Sequence, residues 1–121
     1  QCVILSNLVR RVYTIERIKS LLLKAELIFK KLKLTNIVTK FGDGNLGWKE
    51  QIPFDRIIFT AATKNISKLF IDHLSENGII VAPLIDGSKQ VLKKFTKINN
   101  KIKVENLSEV SFVPNLSGIK N

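Results

Sequence analysis

Two acidic residues stand where the strands of a mixed α/β sheet would end. Glu16 closes the run Val12–Glu16, whose β-branched and aromatic side chains favour a strand. Asp43 lies in a Gly-Asp-Gly turn that directly follows a second predicted strand, Asn36–Phe41. Because the carboxyl ends of parallel strands meet at one edge of a sheet, both carboxylates are expected on the same rim.

The chemistry open to these two carboxylates is hydrogen-bond acceptance. At the end of such a strand Glu16 can accept from ribose hydroxyls, or it can simply place a negative charge at the N-terminus of the next helix. Asp43 can accept from an exocyclic amine while its flanking glycines let a flat ligand approach, or it can belong to an ordinary turn. The residue types alone leave both alternatives open.

The other reactive side chains lack the partners that catalysis or metal binding requires. His73 has no cysteine or second histidine near it, and Cys2 has no histidine partner, so neither predicts a ligand or a nucleophile. The sequence contains no glycine-rich phosphate loop, no metal-ligand spacing and no Ser/His/Asp set, so no metal and no catalytic residue is predicted. The single cysteine fits a reducing, cytoplasmic location.

The elements that must hold these residues alternate between strand and helix. The chain opens with a helix end at Gln1–Leu8 and the strand that contains Glu16. The pattern then predicts an amphipathic helix over Arg17–Leu32, the strand Asn36–Phe41, a loop over Asn45–Pro53 and a strand buried on both faces over Phe54–Ala62. The remaining predicted elements are a helix over Ile66–Leu74 closed by a left-handed Gly78, a strand over Ile79–Ala82 ended by Pro83, and a hairpin of Lys89–Ile98 and Lys101–Val113 that turns at Asn99-Asn100. This order predicts a doubly wound α/β sheet with an antiparallel hairpin at one edge. A ligand is expected beyond the carboxyl ends of its strands.

The charge of the chain suggests a nucleic-acid partner, but its distribution disfavours one. Twenty Lys and Arg residues against ten Asp and Glu residues give +10. Residues 10–40 carry nine basic and two acidic side chains, residues 89–121 carry seven and two, and residues 41–88 carry four and six. No aromatic side chains interleave with the lysines as they do in single-strand binders. We therefore interpret most of the charge as solvated surface. Separately, no apolar run of this sequence is long enough to predict a membrane span.

Four blocks of this sequence together resemble the protein-L-isoaspartate O-methyltransferase family. In chain order they are Val12-Tyr13-Thr14-Ile15-Glu16-Arg17, Gly42-Asp43-Gly44-Asn45-Leu46-Gly47-Trp48, Pro53-Phe54-Asp55-Arg56-Ile57-Ile58-Phe59-Thr60-Ala61-Ala62 and Val110-Ser111-Phe112-Val113-Pro114. The resemblance implies the Rossmann-like fold of class I S-adenosylmethionine-dependent methyltransferases. It also implies methyl transfer from S-adenosyl-L-methionine to isoaspartyl carboxylates of damaged proteins, which is a protein-repair activity.

The resemblance also implies roles for individual positions. Glu16 would bind the ribose hydroxyls of S-adenosyl-L-methionine, and Asp43 with Gly44 would line its adenine. Thr60, Ala61 and Ala62 would face the cleft between cofactor and substrate.

The start of the chain predicts that part of the family's domain lies elsewhere. The sequence contains no methionine, and Gln1 aligns just after the glycine-rich cofactor loop of the family. We therefore expect residues 1–121 to form a single incomplete domain, truncated at its N-terminus and inactive alone. The central first strand, between the strands at Val12–Glu16 and Phe54–Ala62, would be absent, and an N-terminal half would be its natural partner.

Three other interpretations compete with the methyltransferase. A decayed, non-enzymatic remnant would share all four blocks but carry no activity. A basic nucleic-acid-binding module of the same fold would bind in a steeply salt-dependent way. A nicotinamide-dependent dehydrogenase shares the acidic residue after its second strand, although nothing in this sequence resembles a hydride-transfer site.

Overall fold

The computed structural model describes all residues, 1–121, and contains three α-helices and six strands. Their bounds are α1 Cys2–Ser6, β1 Val12–Glu16, α2 Lys19–Lys31, β2 Ile37–Phe41, β3 Phe54–Ile58, α3 Lys68–His73, β4 Leu74–Asp86, β5 Lys89–Ile98 and β6 Lys101–Val110. The chain divides into two compact units, residues 1–46 with 117–121 and residues 47–116. None of the helices has both the length and the apolar character that crossing a bilayer requires.

The first unit is built around a β-α-β motif. Strands β1 and β2 pair in parallel from Val12 opposite Ile37 to Glu16 opposite Phe41, and α2 connects them. The predicted amphipathic helix is confirmed, although it begins at Lys19 because Ile18 has extended backbone angles and acts as the N-cap. The strand predicted at Val12–Glu16 has the same bounds in the structure. Parallel pairing therefore brings the carboxyl ends of both strands to one edge.

The second unit is a four-stranded sheet in the order β3-β4-β5-β6. Strand β3 runs parallel to β4, and the other two pairs are antiparallel, so the predicted terminal hairpin is confirmed. The core lies where α3 covers this sheet. Its buried members are Phe70, Leu74, Ile80, Ala82 and Leu84.

Helix α3 is held on the sheet by both apolar and polar contacts. The rings of Phe59 and Phe70 meet edge to face with centroids 4.9 Å apart. Lys97 Nζ, on β5, donates to the carbonyl oxygens of Ile71 and Leu74 at 3.1 and 3.0 Å. A cation at the C-terminal end of a helix satisfies carbonyls that have no helical partner and opposes the negative end of the helix dipole.

The predicted end of this helix at a left-handed Gly78 is wrong. The helix ends at His73 and the chain enters β4 directly, with Asn77 rather than Gly78 in the left-handed region at φ 62°. A Cβ on Gly78 would lie 2.5 Å from Leu74 Cγ and 2.7 Å from the Ser75 carbonyl oxygen. Glycine is therefore needed at this position for close packing, and not for its backbone angle.

The prediction that Pro83 ends a strand is also wrong, because β4 continues to Asp86. The Pro83 carbonyl oxygen accepts from Thr63 N–H at 3.0 Å, so the amide side of Pro83 faces Thr63 and not β5. Proline has no N–H to donate, and here no ladder bond to β5 requires one. The pairing with β5 therefore passes through Pro83, opposite Leu92, without interruption.

Three further boundaries differ from the sequence prediction. Ile58, expected to be buried in a strand covered on both faces, is 46% exposed and is the last residue of β3. The predicted loop over Asn45–Pro53 contains a 3₁₀ turn at Lys49–Gln51 and overlaps another at Gly44–Leu46. Strand β6 ends at Val110, three residues before the predicted limit.

The strands form two sheets instead of one continuous sheet. Strand β1 pairs only with β2, and β3 pairs only with β4, so each has one edge without a strand partner. The single-domain assignment for residues 1–121 stays a prediction.

Candidate functional site

The rim formed by the carboxyl ends of β1 and β2 carries both predicted acceptor residues. Glu16 is the last residue of β1 and stands opposite Phe41, the last residue of β2. The N–H of Gly42 then donates to the Glu16 carbonyl oxygen at 3.1 Å. The turn that contains Asp43 is therefore joined to Glu16 by a backbone hydrogen bond, and the structure brings Glu16, Asp43 and Gly44 together within the first unit.

The Glu16 side chain is half-buried and serves the start of α2. Its Oε1 accepts from the backbone N–H of Ile18 at 2.8 Å. This contact satisfies a backbone donor at the N-terminus of α2. It agrees with the interpretation that Glu16 places a negative charge at the start of this helix. A carboxylate has two oxygens with about four acceptor positions, so this single bond still leaves capacity for ribose hydroxyls.

The Asp43 carboxylate is held through both of its oxygens. Oδ1 accepts from Asn45 N–H at 2.9 Å, and Oδ2 accepts from Gly118 N–H at 2.7 Å. Desolvation by the surrounding chain acts to raise the pKa of Asp43, but the hydrogen bonds from Gly118 and Asn45, together with the positive charge of Arg17, outweigh it and lower the pKa below its ordinary value. Asp43 is consequently an ionised, oriented acceptor at neutral pH.

The two glycines of the turn differ in the space around them. A Cβ on Gly42 would make ordinary contacts with Lys40 and Ile15 at 3.6 and 3.8 Å. A Cβ on Gly44 would meet no atom within 4 Å. The backbone at Gly44 therefore borders open space, which a flat ring could occupy beside the Asp43 carboxylate.

The sequence reasoning missed two participants in this rim, Arg17 and Gly118. Arg17 Nε donates to the Gly118 carbonyl oxygen at 2.9 Å, and Gly118 in turn donates to Asp43. The only sequence signal was that Arg17 belongs to one of the blocks that resemble the family. Its partner lies 101 residues away along the chain, so no local pattern could reveal the contact.

The three remaining predicted site residues belong to the second unit. Thr60 is exposed, Ala61 is half-buried, and Ala62 is buried with 2% exposure. The N–H of Ala62 donates to the Val113 carbonyl oxygen at 2.7 Å, and its own carbonyl accepts from Asn115 N–H at 2.8 Å. The segment after β3 is thus tied to the segment after β6, which leaves the Thr60 side chain accessible.

The other reactive groups make structural contacts. His73 is buried, and its ring lies where a Cβ on Gly47 would come within 3.0 Å. Asp55 Oδ1 accepts a hydrogen bond from Ser75 Oγ at 3.0 Å. No cluster of three or more His, Cys, Asp and Glu residues is arranged to hold a metal ion. The chemistry that the rim supports is therefore recognition of hydroxyl and amino groups by carboxylates.

A comparison with protein-family models matches residues 1–120 to the family described as protein-L-isoaspartate(D-aspartate) O-methyltransferase. Curated relatives carry the same name. A Helicobacter pylori (strain G27) protein is 47% identical over 121 residues, and the match covers 99% of this chain and 58% of that protein. A Caulobacter vibrioides (strain NA1000 / CB15N) protein is 47% identical over 120 residues, covering 98% and 54%. The chain thus spans little more than half the length of the curated relatives that it matches.

Solved structures agree with these sequence matches. A Plasmodium falciparum crystal structure, described as a protein-L-isoaspartate O-methyltransferase in complex with S-adenosyl-L-homocysteine, superposes with a TM-score of 0.78 at 28% identity and covers 88% of this chain and 52% of that one. A second structure named protein-L-isoaspartate O-methyltransferase gives a TM-score of 0.83 at 21% identity, covering 92% and 36%. These likenesses confirm the predicted fold class.

Proposed function

The chain belongs to the protein-L-isoaspartate O-methyltransferase family, and from this premise we propose that its residues serve methyl transfer from S-adenosyl-L-methionine to the carboxylate of isoaspartyl residues in damaged proteins. The observation that carries the proposal is the family match over residues 1–120. The rim at the ends of β1 and β2 also supports it, because it brings together two carboxylate acceptors and a glycine that borders open space.

The residues of the first unit fit the nucleoside part of this cofactor. Glu16 retains acceptor positions for two adjacent ribose hydroxyls, and hydrogen bonds to a charged acceptor are among the stronger ones in proteins. Asp43 is ionised and oriented, so it can accept from the amino group of adenine. Gly44 leaves the space that the flat purine ring needs.

The residues of the second unit fit the substrate side of the proposal. The accessible Thr60 hydroxyl can donate to a carboxylate, while Ala61 and Ala62 add no bulk that would keep a peptide away. The bonds of Ala62 to Val113 and Asn115 hold this segment in a defined conformation. We assign Thr60, Ala61 and Ala62 to contacts with the isoaspartyl substrate.

The demands on the protein follow from the chemistry of the donor. The sulfonium of S-adenosyl-L-methionine supplies an already activated methyl group, so no acid, base or metal is required to activate it. The protein has to hold the acceptor carboxylate in line with the methyl group and exclude water. Glu16, Asp43 and Gly44 would fix the nucleoside end, and the segment at Thr60 would receive the carboxylate.

The single free cysteine is compatible with the cytoplasm, where we place this activity.

Calorimetric titration of the protein at its natural length with S-adenosyl-L-homocysteine tests the cofactor assignment. We expect Glu16→Ala and Asp43→Ala each to weaken binding about 10- to 100-fold, since a hydrogen bond to a charged group contributes about 1.5–3 kcal/mol. Glu50→Ala is the matched control, because it removes an exposed carboxylate outside the rim and is expected to leave the Kd unchanged. Unchanged affinity in both rim variants would remove the cofactor assignment.

An assay on an isoaspartyl peptide tests the reaction itself. We expect labelled methyl from S-adenosyl-L-methionine to appear as a base-labile ester on the isoaspartyl peptide and not on the matching aspartyl peptide. Ester formation on neither peptide, by a protein that binds the cofactor, would favour the non-enzymatic alternative.

A further inference from the structure

The C-terminal segment Ser117–Lys120 lies along the rim that carries Glu16 and Asp43. The N–H of Lys120 donates to the Arg17 carbonyl oxygen at 2.7 Å, and the N–H of Lys19 donates to the Lys120 carbonyl oxygen at 2.9 Å. These two bonds make Ile18 and Lys120 a parallel bridge. The end of the chain is thereby attached to the connection between β1 and α2, next to Glu16.

The Arg17 side chain also binds this segment. Its Nε donates to the Gly118 carbonyl oxygen at 2.9 Å, and its Nη2 donates to the Ser117 carbonyl oxygen at 3.3 Å. The planar guanidinium thus spans two successive carbonyls, which a single ammonium group cannot reproduce with the same geometry. Arg17 therefore fixes both peptide units that flank the Gly118 Cα. One of them contains the Ser117 carbonyl and the Gly118 N–H, and the other contains the Gly118 carbonyl.

Gly118 passes this placement on to Asp43. Its backbone is in the left-handed region at φ 77°, where glycine is free of steric cost. In this conformation its N–H reaches Asp43 Oδ2 at 2.7 Å, while Asn45 N–H holds Oδ1 at 2.9 Å. With a donor on each oxygen, the carboxylate is fixed in orientation, and its remaining acceptor positions point in fixed directions.

We propose that Arg17 is a positioning residue of the nucleoside site and acts through the C-terminal segment, whose Gly118 N–H orients the Asp43 carboxylate for the amino group of the purine. The inference rests on the proposed function, because it assigns the purine to Asp43. Arg17 itself does not touch the purine. Its effect on binding therefore depends on Asp43 and disappears when the Asp43 carboxylate is removed.

A double-mutant cycle with S-adenosyl-L-homocysteine as the probe tests this dependence, using the protein at its natural length. We expect Arg17→Gln to weaken binding about fivefold to tenfold, less than Asp43→Ala, because the Asp43 carboxylate remains but is no longer held in orientation. In an Asp43→Asn background the same substitution is expected to change the Kd less than twofold. Arg17→Lys, which keeps the charge but presents its donors from a single nitrogen, is expected to give a Kd between those of the wild type and Arg17→Gln. Lys19→Gln is the matched control, because it removes a neighbouring exposed cation and should leave the Kd unchanged.

Gly118→Ala provides a second variant if Arg17→Gln does not fold. A Cβ on Gly118 would meet no atom within 4 Å, so the substitution strains only the left-handed backbone, and the protein is expected to fold. The displaced N–H should again weaken binding of the probe in the wild-type background and not in Asp43→Asn.

The possible results separate this inference from the proposed function. A wild type that does not bind S-adenosyl-L-homocysteine contradicts the proposed function and the inference together. A wild type that binds, with Arg17→Gln and Gly118→Ala binding equally well, overturns the inference alone. If Arg17→Gln weakens binding equally in the wild-type and the Asp43→Asn backgrounds, the inference is also overturned, because Arg17 would then act independently of Asp43.

Discussion

The Asp43 carboxylate shows how much of a site's chemistry is set by single backbone groups. Its oxygens accept from the backbone N–H groups of Asn45 and Gly118, and the positive charge of Arg17 also acts on it. Hydrogen bonds to the ionised form lower the pKa of a carboxyl group, and they also restrict where a ligand can meet it. At the residue scale, the same contacts therefore govern both the charge and the direction of the acceptor.

The lowered pKa of Asp43 predicts a pH dependence of stability. Because the folded pKa lies below the unfolded one, about 3.9, the ionised carboxylate contributes stability that is present above the unfolded value and is lost as the pH falls through the folded value. In the protein at its natural length, we expect the urea midpoint of the wild type to fall more steeply below about pH 4 than that of Asp43→Asn. Parallel pH profiles for the two proteins would contradict this account.

At the scale of elements, local sequence determines the hairpin of β5 and β6. Asn99 and Asn100 adopt φ values of 51° and 59°, the combination that a two-residue type I′ turn requires. Asparagine tolerates this region better than most other non-glycine residues, which explains why Asn99-Asn100 between two alternating runs predicted the turn correctly.

Substitution of the second turn residue tests this origin of the hairpin. In the protein at its natural length, Asn100→Gly should increase the free energy of unfolding by about 0.5–1 kcal/mol, because glycine adopts the left-handed region without steric cost. Asn100→Val should destabilise it by about 1–2 kcal/mol, since a β-branched side chain clashes there. Chemical denaturation of both variants measures the difference, and equal stabilities would show that the turn angles do not constrain the hairpin.

Helix α3 and strand β4 show where element prediction fails. Both Pro83 and Gly78 are strong local signals for an end, and neither ends its element in the way that the signal predicts. The outcome depends on which side of β4 the Pro83 amide faces and on how closely Leu74 packs against Gly78. The first depends on Thr63, which is distant from Pro83 along the chain, and the second depends on the backbone path from α3 into β4 and not on residue types alone.

At the scale of the whole chain, buried apolar surface is small in relation to the apolar side chains available. Eight apolar residues are buried, whereas nineteen large apolar residues are exposed. Strands β1 and β3 also each have an edge without a strand partner. Unpaired strand edges and exposed apolar groups favour association with other chains and contribute nothing to folding stability.

We therefore predict that the 121-residue chain, purified by itself, is not stably folded. Domain stability is typically only about 5–15 kcal/mol, and each unsatisfied buried backbone group costs about 1–3 kcal/mol. We expect a broad thermal transition by circular dichroism and a poorly dispersed amide spectrum. A sharp cooperative transition with a single set of well-dispersed amide signals would refute the prediction.

The sequence by itself determined the family, the order of the elements and the positions of Glu16 and Asp43 at the ends of two strands. These features follow from hydrophobic periodicity and turn residues, which act over a few neighbouring positions. Only the tertiary structure decided that Gly118 holds Asp43 and that Arg17 holds Gly118, across 75 and 101 residues of chain. Such contacts depend on how the C-terminal segment packs against the rim. No local pattern specifies which distant N–H group will meet a given carboxylate.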